Sequence, residues 1–443
     1  LAIVADGDAD VLVTGTDEAV CEQVCAVAEE GTVETVAVAA EDPRAALGRG
    51  GDDPALEGVD VVSFSEAMAD ADPTTPPAPV EPDDPAMQPY TSGSTGEPKG
   101  VVLTHAGCHW MITCIHRVHF LDGDDRAVVA GPLYHKNAMV GAVKPMLSVG
   151  GSVVVMDGFD ADRVIEAIDR YDVTYLRGVP AMYKMLVGAD DALAAHDVSS
   201  VGWAVSGSAS LPRALIEDVR ETFGCEMGEA YGLTETGGPV TLSPRWGPRK
   251  LGSSGLPLPG ADIRIVDPDT GTELPPGEAG ELLVACPSNG RYYERPETEA
   301  EAFDERDGRR FLHTEDVARQ DEQGYHYIVG RLDDMLIVGG ENVYPAEVED
   351  LLQRHEAVGD VAVVGAPHAV KGEAPVAFVV AEGVTEAELK QFAIDNGPAY
   401  AHPRRVFFES ELPLAGTGKI DRDALEAEAR DRIEGGQLGG TNR

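Results

Sequence analysis

Residues 90–100 read YTSGSTGEPKG, and a strand-like run, Val101–Leu103, follows at once. Three glycines, two serines, two threonines and one lysine in so short a stretch make a tight loop. Such a loop offers backbone N–H groups, hydroxyl donors and one cation, which together suit the oxygens of a polyphosphate. The spacing is not that of the Walker loop, because Lys99 follows Gly96 by three and no Ser or Thr comes after it. Thr91, Ser92, Gly93, Ser94, Thr95, Gly96 and Lys99 are therefore candidate phosphate ligands.

The sequence on either side has α/β patterning. Before the loop, strand-like Val11–Val13, Thr35–Ala39 and Val59–Phe64 alternate with a helical stretch, Ala19–Ala28. Seven prolines in 71–89 make that segment a surface loop. After it, His105–Phe120 places Trp110, Met111, Cys114, Ile115 and Val118 on one helical face. Further βα units follow: strands at Ser152–Met156, Val173–Leu176 and Val201–Val205, and helices marked by Val164, Ile165, Ile168 and Tyr171 and by Leu215, Ile216, Val219 and Phe223, the second stopped by Gly224. From Ile263 to Val284 shorter strands and Gly/Pro turns read as a β-rich subdomain. After about 333 a smaller unit begins, with helices over Ala346–Arg354 and Glu386–Asp395 and strands over Val361–Val364 and Val376–Val380. With 443 residues, at least two domains are expected.

Charge and cysteine content exclude several classes. Asp and Glu number 78 against 34 Lys and Arg, a net charge of −44, and the acid is spread along the chain. Such a balance repels phosphate backbones and anionic membranes, so neither nucleic acid nor stable membrane insertion is expected. No apolar run reaches the ~18–20 residues that span a bilayer. Six cysteines without a CxxC pair make a disulfide scaffold or zinc ribbon unsuitable and fit a reducing cytoplasm. The histidines show no HxxxH or HExxH spacing, so no zinc is expected. The lysine-poor, acid-rich composition resembles that of a halophile's protein. The melting temperature should then rise from low to molar KCl, because salt screens the self-repulsion; a flat or falling curve removes that reading.

Further motifs carry chemistry. In YGLTET, Tyr231–Thr236, a Tyr can stack on a purine, and Thr and Glu can meet a phosphate and its Mg²⁺. In HTEDV, His313–Val317, Asp316 is a carboxylate able to accept both hydroxyls of a vicinal diol. GRLDDMLIVGGENVYP spans Gly330–Pro345, and PLAGTGKI spans Pro413–Ile420. With the loop at 90–100, these motifs and their order resemble the adenylate-forming (AMP-binding) superfamily, of the acyl-CoA synthetase or fatty-acid–CoA ligase type, over residues 1 to about 425.

The resemblance implies a large N-terminal α/β domain (1–332) with a β-rich subdomain, and a small mobile C-terminal α+β lid (333–430) with a flexible tail at 431–443. Members carry a longer segment before the phosphate loop, and this chain opens on Leu1, so it reads as N-terminally short. The implied substrates are ATP with Mg²⁺, a carboxylic acid and CoA, in a monomer or homodimer. Tyr231 would stack on adenine, with Gly207, Ser208, Ala209, Glu229, Ala230 and Gly232 around it. Thr234 would lie near the α-phosphate and Glu235 would hold Mg²⁺. Asp316 and Arg331 would meet the ribose. Lys419 would stabilise the negative transition state at the α-phosphorus. Asp333 would be the hinge, and Gly339 and Gly340 would line the CoA tunnel. The acyl pocket would hold His135, Met139, Val140, Val205, Gly207, Gly232, Leu233 and Pro239. That lining favours a fatty or aromatic acid, and PLYHKNAM lacks the Asp that pairs with an amino-acid amine. Alternatives are an adenylating enzyme that loads a carrier protein, and a truncated non-catalytic homologue. Glu315 stands where the family usually has Gly, and Glu would be strained there if the position needs φ > 0.

Overall fold

The computed structural model describes residues 2–29, 33–48, 56, 58–91, 98–133, 136–207, 211–368, 372–413 and 420–433. Ser92, Gly93, Ser94, Thr95, Gly96, His135, Ser208, Ala209 and Lys419 lie outside them. The chain divides into two units, 1–108 with 290–299, and 109–289 with 300–443.

In the first unit, Val11–Thr14, Thr35–Val38 and Asp60–Ser63 form a parallel sheet. Helix Glu18–Glu29 supplies Cys21, Val24 and Cys25 to its core. A second small sheet surrounds the strand Lys99–Thr104, which follows the phosphate loop. Pro85–Met87 and Arg291–Tyr292 flank it antiparallel, so the end of the proline-rich segment is a strand rather than loop. Thr91 pairs with Lys99, so the loop is closed as a hairpin at its base. Gly100 is required beneath it: a Cβ there would come within 3.0 Å of Gln88 and Tyr90. The Tyr90 hydroxyl donates to Asp6 at 3.0 Å, and Arg295 pairs with the same carboxylate.

The second unit contains a seven-stranded sheet in the order Leu256–Pro257, Gly238–Leu242, Glu226–Leu233, Trp203–Gly207, Tyr175–Gly178, Arg126–Val129, Ser152–Val155. The last five are parallel. Alternation decides their faces. Val128, Leu176 and Ala204 pack on helices Ala161–Tyr171, Pro180–Val187 and Arg213–Phe223. Ala127, Val129, Tyr175, Trp203 and Val205 face the opposite way, against Ala138, Ala142 and Met146. Both faces are buried, which is why these strands read as continuous apolar runs. The expected helix stop holds: Gly224 has φ 64° and its N–H bonds to Arg220 O. Tyr171 departs from the expected buried face. Its helix ends there on Asp172 in the left-handed conformation, and the ring is 38% exposed with Arg170 over it.

The β-rich subdomain is an antiparallel sheet of Asp262–Val266, Ala279–Ala285, Arg309–Gln320 and Phe303–Arg306, with His326–Arg331 paired to Arg309–Gln320. After it comes the α+β portion. Val358–His368 and Gly372–Ala381 pair antiparallel over their whole length. Val361, Val363, Ala377 and Val379 pack on helices Pro345–Leu352 and Glu386–Asn396, whereas Ala362, Val364, Val376 and Phe378 pack on Leu425 and Ala429 of Arg422–Arg432. That last helix runs two residues into the segment read as a tail. Among the described residues no helix is long and apolar enough to cross a membrane, and all six cysteines are free thiols.

Candidate active site

The parallel strands Tyr175–Gly178, Trp203–Gly207 and Glu226–Leu233 end side by side. Open α/β sheets bind ligands beyond the carboxyl ends of their strands. Val205, Gly207, Ala230, Tyr231, Gly232 and Leu233 all stand at those ends, so the sheet gathers candidates from two separate motifs. Gly207 lies close to the next strand, since a Cβ there would come 3.1 Å from Ala230 O. Gly232 is tighter still, with Gly238 O at 2.0 Å from a Cβ position.

Beyond Leu233 the chain turns back through Thr234 and Glu235 into Gly238–Leu242. The buried Thr236 pins this turn. Its hydroxyl accepts from Leu233 N at 3.0 Å and lies 2.8 Å from Gly238 O. Thr234 and Glu235, both half-buried, are thereby fixed at the lip of the strand ends. Thr236 belongs to the quoted motif but was not assigned a role; its signal is a hydroxyl three residues after a strand end.

Asp316 is placed by a bulge. Glu281 pairs with Val317 and Leu283 with His313, so two extra residues of the longer strand loop out between them. Bulges re-aim side chains in this way and gather beside active sites. Glu315 stands in the bulge at φ 58°, so the position does require the left-handed region where glycine is usual. Thr314 braces it, its hydroxyl donating to Leu282 O at 2.7 Å and accepting from Asp316 N at 3.1 Å. His313 is held between Glu281 (3.1 Å) and Asp304 (3.3 Å), chiefly the former, which holds its pKa above the usual value.

The buried Asp316 carboxylate accepts from the Tyr231 hydroxyl at 2.5 Å and faces Arg331 at 3.5 Å, its cross-strand partner. Burial first, and the Asp316 charge second, hold the Tyr231 phenol far above its usual pKa, so it stays a donor. The ring packs on Val240, Ile265, Leu282, Val284 and Ala318. Burial opposes the Arg331 charge. Asp333 at 2.9 Å, Asp316 and Glu315 at 2.9 Å outweigh that and keep the guanidinium firmly charged. The result is a half-buried cation among three carboxylates. Glu229, on the same strand as Tyr231, is half-buried; burial, then Asp350, push its carboxyl up to about 8.

Glu315→Gly tests the strain. Left-handed backbone costs a non-glycine residue ~1–2 kcal/mol, and the exposed ion pair to Arg331 is worth under ~1 kcal/mol. The variant should be as stable as the parent or more stable by up to ~1 kcal/mol in chemical denaturation. A clear loss would mean that the ion pair, not the backbone, decides.

Gly339 and Gly340, with φ 67° and 94°, are the two central residues of a tight hairpin between Leu336–Val338 and Glu341–Val343. A two-residue hairpin turn with both φ positive is the usual reason for such a glycine pair. Both are exposed, as is Asp333. Met139, of the expected acyl pocket, begins a π-helical turn, Met139–Val143. Pro145 explains the turn: it has no N–H for Gly141 O, and that carbonyl accepts from the Tyr175 hydroxyl at 3.3 Å instead.

Known proteins resemble this chain in sequence and fold. The family model for AMP-binding enzyme matches residues 1–294, and that for AMP-binding enzyme C-terminal domain matches residues 347–419. A feruloyl-CoA synthase of Amycolatopsis sp is 38% identical over 374 residues, covering 82% of this chain and 73% of that protein. The fatty acid–[acyl-carrier-protein] ligase ScoC of Streptomyces coeruleorubidus is 34% identical, covering 86% and 75%. The crystal structure of the anthranilate CoA ligase AuaEII in complex with anthranoyl-AMP superposes with a TM-score of 0.83 at 29% identity, covering 96% of this chain and 79% of that one. The chain therefore belongs to the AMP-binding family of adenylate-forming enzymes and is, within it, an AMP-forming acid–thiol ligase.

Proposed function

We propose that this enzyme is an acyl-CoA synthetase that works in two half-reactions at one site. A carboxylate attacks the α-phosphorus of ATP, giving acyl-adenylate and pyrophosphate; the thiol of CoA then displaces AMP. The observation that carries the reading is the meeting of Tyr231, Asp316 and Arg331, brought together from three different strands. A buried carboxylate with one hydroxyl donor and one guanidinium beside it suits a ribose diol, which needs an acceptor in a fixed place. The neutral Tyr231 ring offers a flat surface to a purine.

Each remaining role follows the same chemistry. Thr91 and Lys99, with 92–96, receive the β- and γ-phosphates. Thr234 donates to the α-phosphate. Mg²⁺ is commonly held by one or two carboxylates plus substrate phosphates, and the half-buried Glu235 on its pinned turn fits that demand. When bound, Mg²⁺ neutralises charge on the phosphates. Lys419 stabilises charge growing at the α-phosphorus. The boundary between the N-terminal domain (1–332) and the lid (333–430) falls at Asp333. Its rotation exchanges Lys419 for the Gly339–Gly340 hairpin between half-reactions. His135, Met139, Val205, Gly207, Gly232 and Leu233 border the acyl group. The enzyme acts in the cytoplasm, as a monomer or homodimer.

Free CoA should support AMP release with a suitable acid, and acid-dependent pyrophosphate release should need ATP and Mg²⁺. ScoC, a carrier-protein ligase at 34% identity, motivates a second reading in which the thiol belongs to a carrier protein. Pyrophosphate release without CoA-dependent AMP release selects that reading. No release of either with any acid rejects both.

A further inference from the structure

We propose that Arg177 determines substrate specificity, and that the acid activated here carries a second, anionic oxygen group at the end away from its reacting carboxyl. This deepens the synthetase reading and rests on it only in requiring that an acid be adenylated at this site.

Arg177 lies on the strand Tyr175–Gly178, one residue from its carboxyl end. It pairs in register with Val205 of the neighbouring parallel strand, and cross-strand partners share a face. That face is the one covered by Ala138, Ala142 and Met146, and it includes the expected pocket residue Val205. The sequence reads this lining as apolar. The structure adds a cation to it.

Three details fit the guanidinium to a ligand. First, space is kept for it: a Cβ at Gly141 would lie 1.9 Å from Arg177 Nε and 2.4 Å from its Cδ and Cζ. The π-helical turn that carries Gly141 is thus shaped around the arginine. Second, its direction is fixed. Nε donates to Asn137 Oδ1 at 2.6 Å, and Asn137 Nδ2 donates to Gly178 O at 3.2 Å. Third, Nη1 is buried and has no hydrogen-bond partner among the described residues, although the guanidinium lies by the Tyr175 hydroxyl. Buried orphan donors are rare and call for an explanation such as a missing ion or ligand.

The electrostatics point the same way. Arg163, Arg220, Arg264, Arg306 and Arg422 each meet a carboxylate. Among the described residues Arg177 meets none, nor does the partly buried Arg245, in a chain with 78 acidic residues. Its field is felt nearby: burial first, then Arg177 and Arg245, hold the buried His119 imidazole down to about 3. A partly withdrawn guanidinium without a counter-ion is costly, and a carboxylate is its best planar partner. A simple fatty chain would leave Nη1 unpaired; a diacid or an acid with a distal anionic oxygen would satisfy it.

The test uses pairs of acids matched in length that differ only at the far end, such as hexanedioate against hexanoate. The readouts are kcat/KM and KM for pyrophosphate release. The full-length enzyme should favour the diacid by about 10–100-fold, the scale of a hydrogen bond to a charged group. Arg177→Met should lower the diacid-to-monoacid ratio by a similar factor, mainly through KM. Gly141→Ala keeps the arginine but displaces its stem, and should lower the ratio in the same direction. Equal use of both acids by the parent, or an unchanged ratio in both variants, overturns the proposal while leaving the synthetase reading intact. Both acids falling together in both variants, with an unchanged ratio, also overturns it, since that is the mark of a purely structural strut. Failure of the synthetase reading looks different: the parent then releases pyrophosphate with neither member of any pair.

Discussion

Lys419→Ala should lose acid-dependent adenylate formation by ~10²–10³, the usual cost of removing one preorganised donor from a charged transition state. The carboxylate and the α-phosphate are both anionic, so their approach concentrates negative charge in a site that, on the proposed reading, already holds the carboxylates of Asp316 and Glu235. The protein as a whole carries −44 and few lysines, which leaves little diffuse positive field to help. A lysine brought by the lid to that point acts mainly when charge develops, so its loss falls on kcat. Thioester formation from pre-made acyl-adenylate needs no such cation, because the bond to phosphorus is already made. It should retain far more of the parent rate. Single-turnover measurement of each half-reaction decides, and an equal fall in both would remove the assigned role.

Asp333→Pro should separate the two half-reactions in the other direction. Asp333 is exposed in a turn where Met335 N approaches Leu332 O at 3.4 Å, and its carboxylate pairs with Arg331 at 2.9 Å. Proline suits the second position of such a turn and fixes φ near −65°, while restricting Leu332 before it. The resting arrangement is then kept and the rotation is blocked. Adenylate formation should stay within about tenfold of the parent, on the order of 1.4 kcal/mol, and thioester formation should fall by far more. The substitution also removes the ion pair to Arg331. Asp333→Ala controls for that and should leave both half-reactions coupled. An Asp333→Pro enzyme that makes acyl-CoA at the parent rate would rule the pivot out.

Much of this was legible in the sequence because the responsible physics is local. Continuous apolar runs bounded by Gly and Pro mark buried parallel strands, and those expected at 152–156, 173–176 and 201–205 occur within two residues, whereas the strands Arg126–Val129 and Glu226–Leu233 were not read from the sequence. Gly224 ends its helix, and Gly339–Gly340 serve a turn, because only glycine takes those dihedral angles without cost. The order of motifs places Tyr231, Asp316 and Arg331 in one family, and a short loop of Ser, Thr, Gly and Lys announces phosphate chemistry.

What only the tertiary structure decided depends on contacts between distant positions. The Tyr231 hydroxyl finds Asp316 across 85 residues of chain, and the two-residue bulge that aims the carboxylate exists only between paired strands. Glu315 could be flagged from the sequence, but its φ of 58° could not be known before that bulge was formed. Arg177 is the sharpest case. In sequence it is one of many arginines beside an apolar run. Its meaning comes from a register that sets it beside Val205, a glycine that makes room for it, and an Nη1 left unpaired. A shift of one residue in that register would turn it to the helix-covered face. Periodicity fixes which residues can be buried; register and packing decide which of them are buried without a partner.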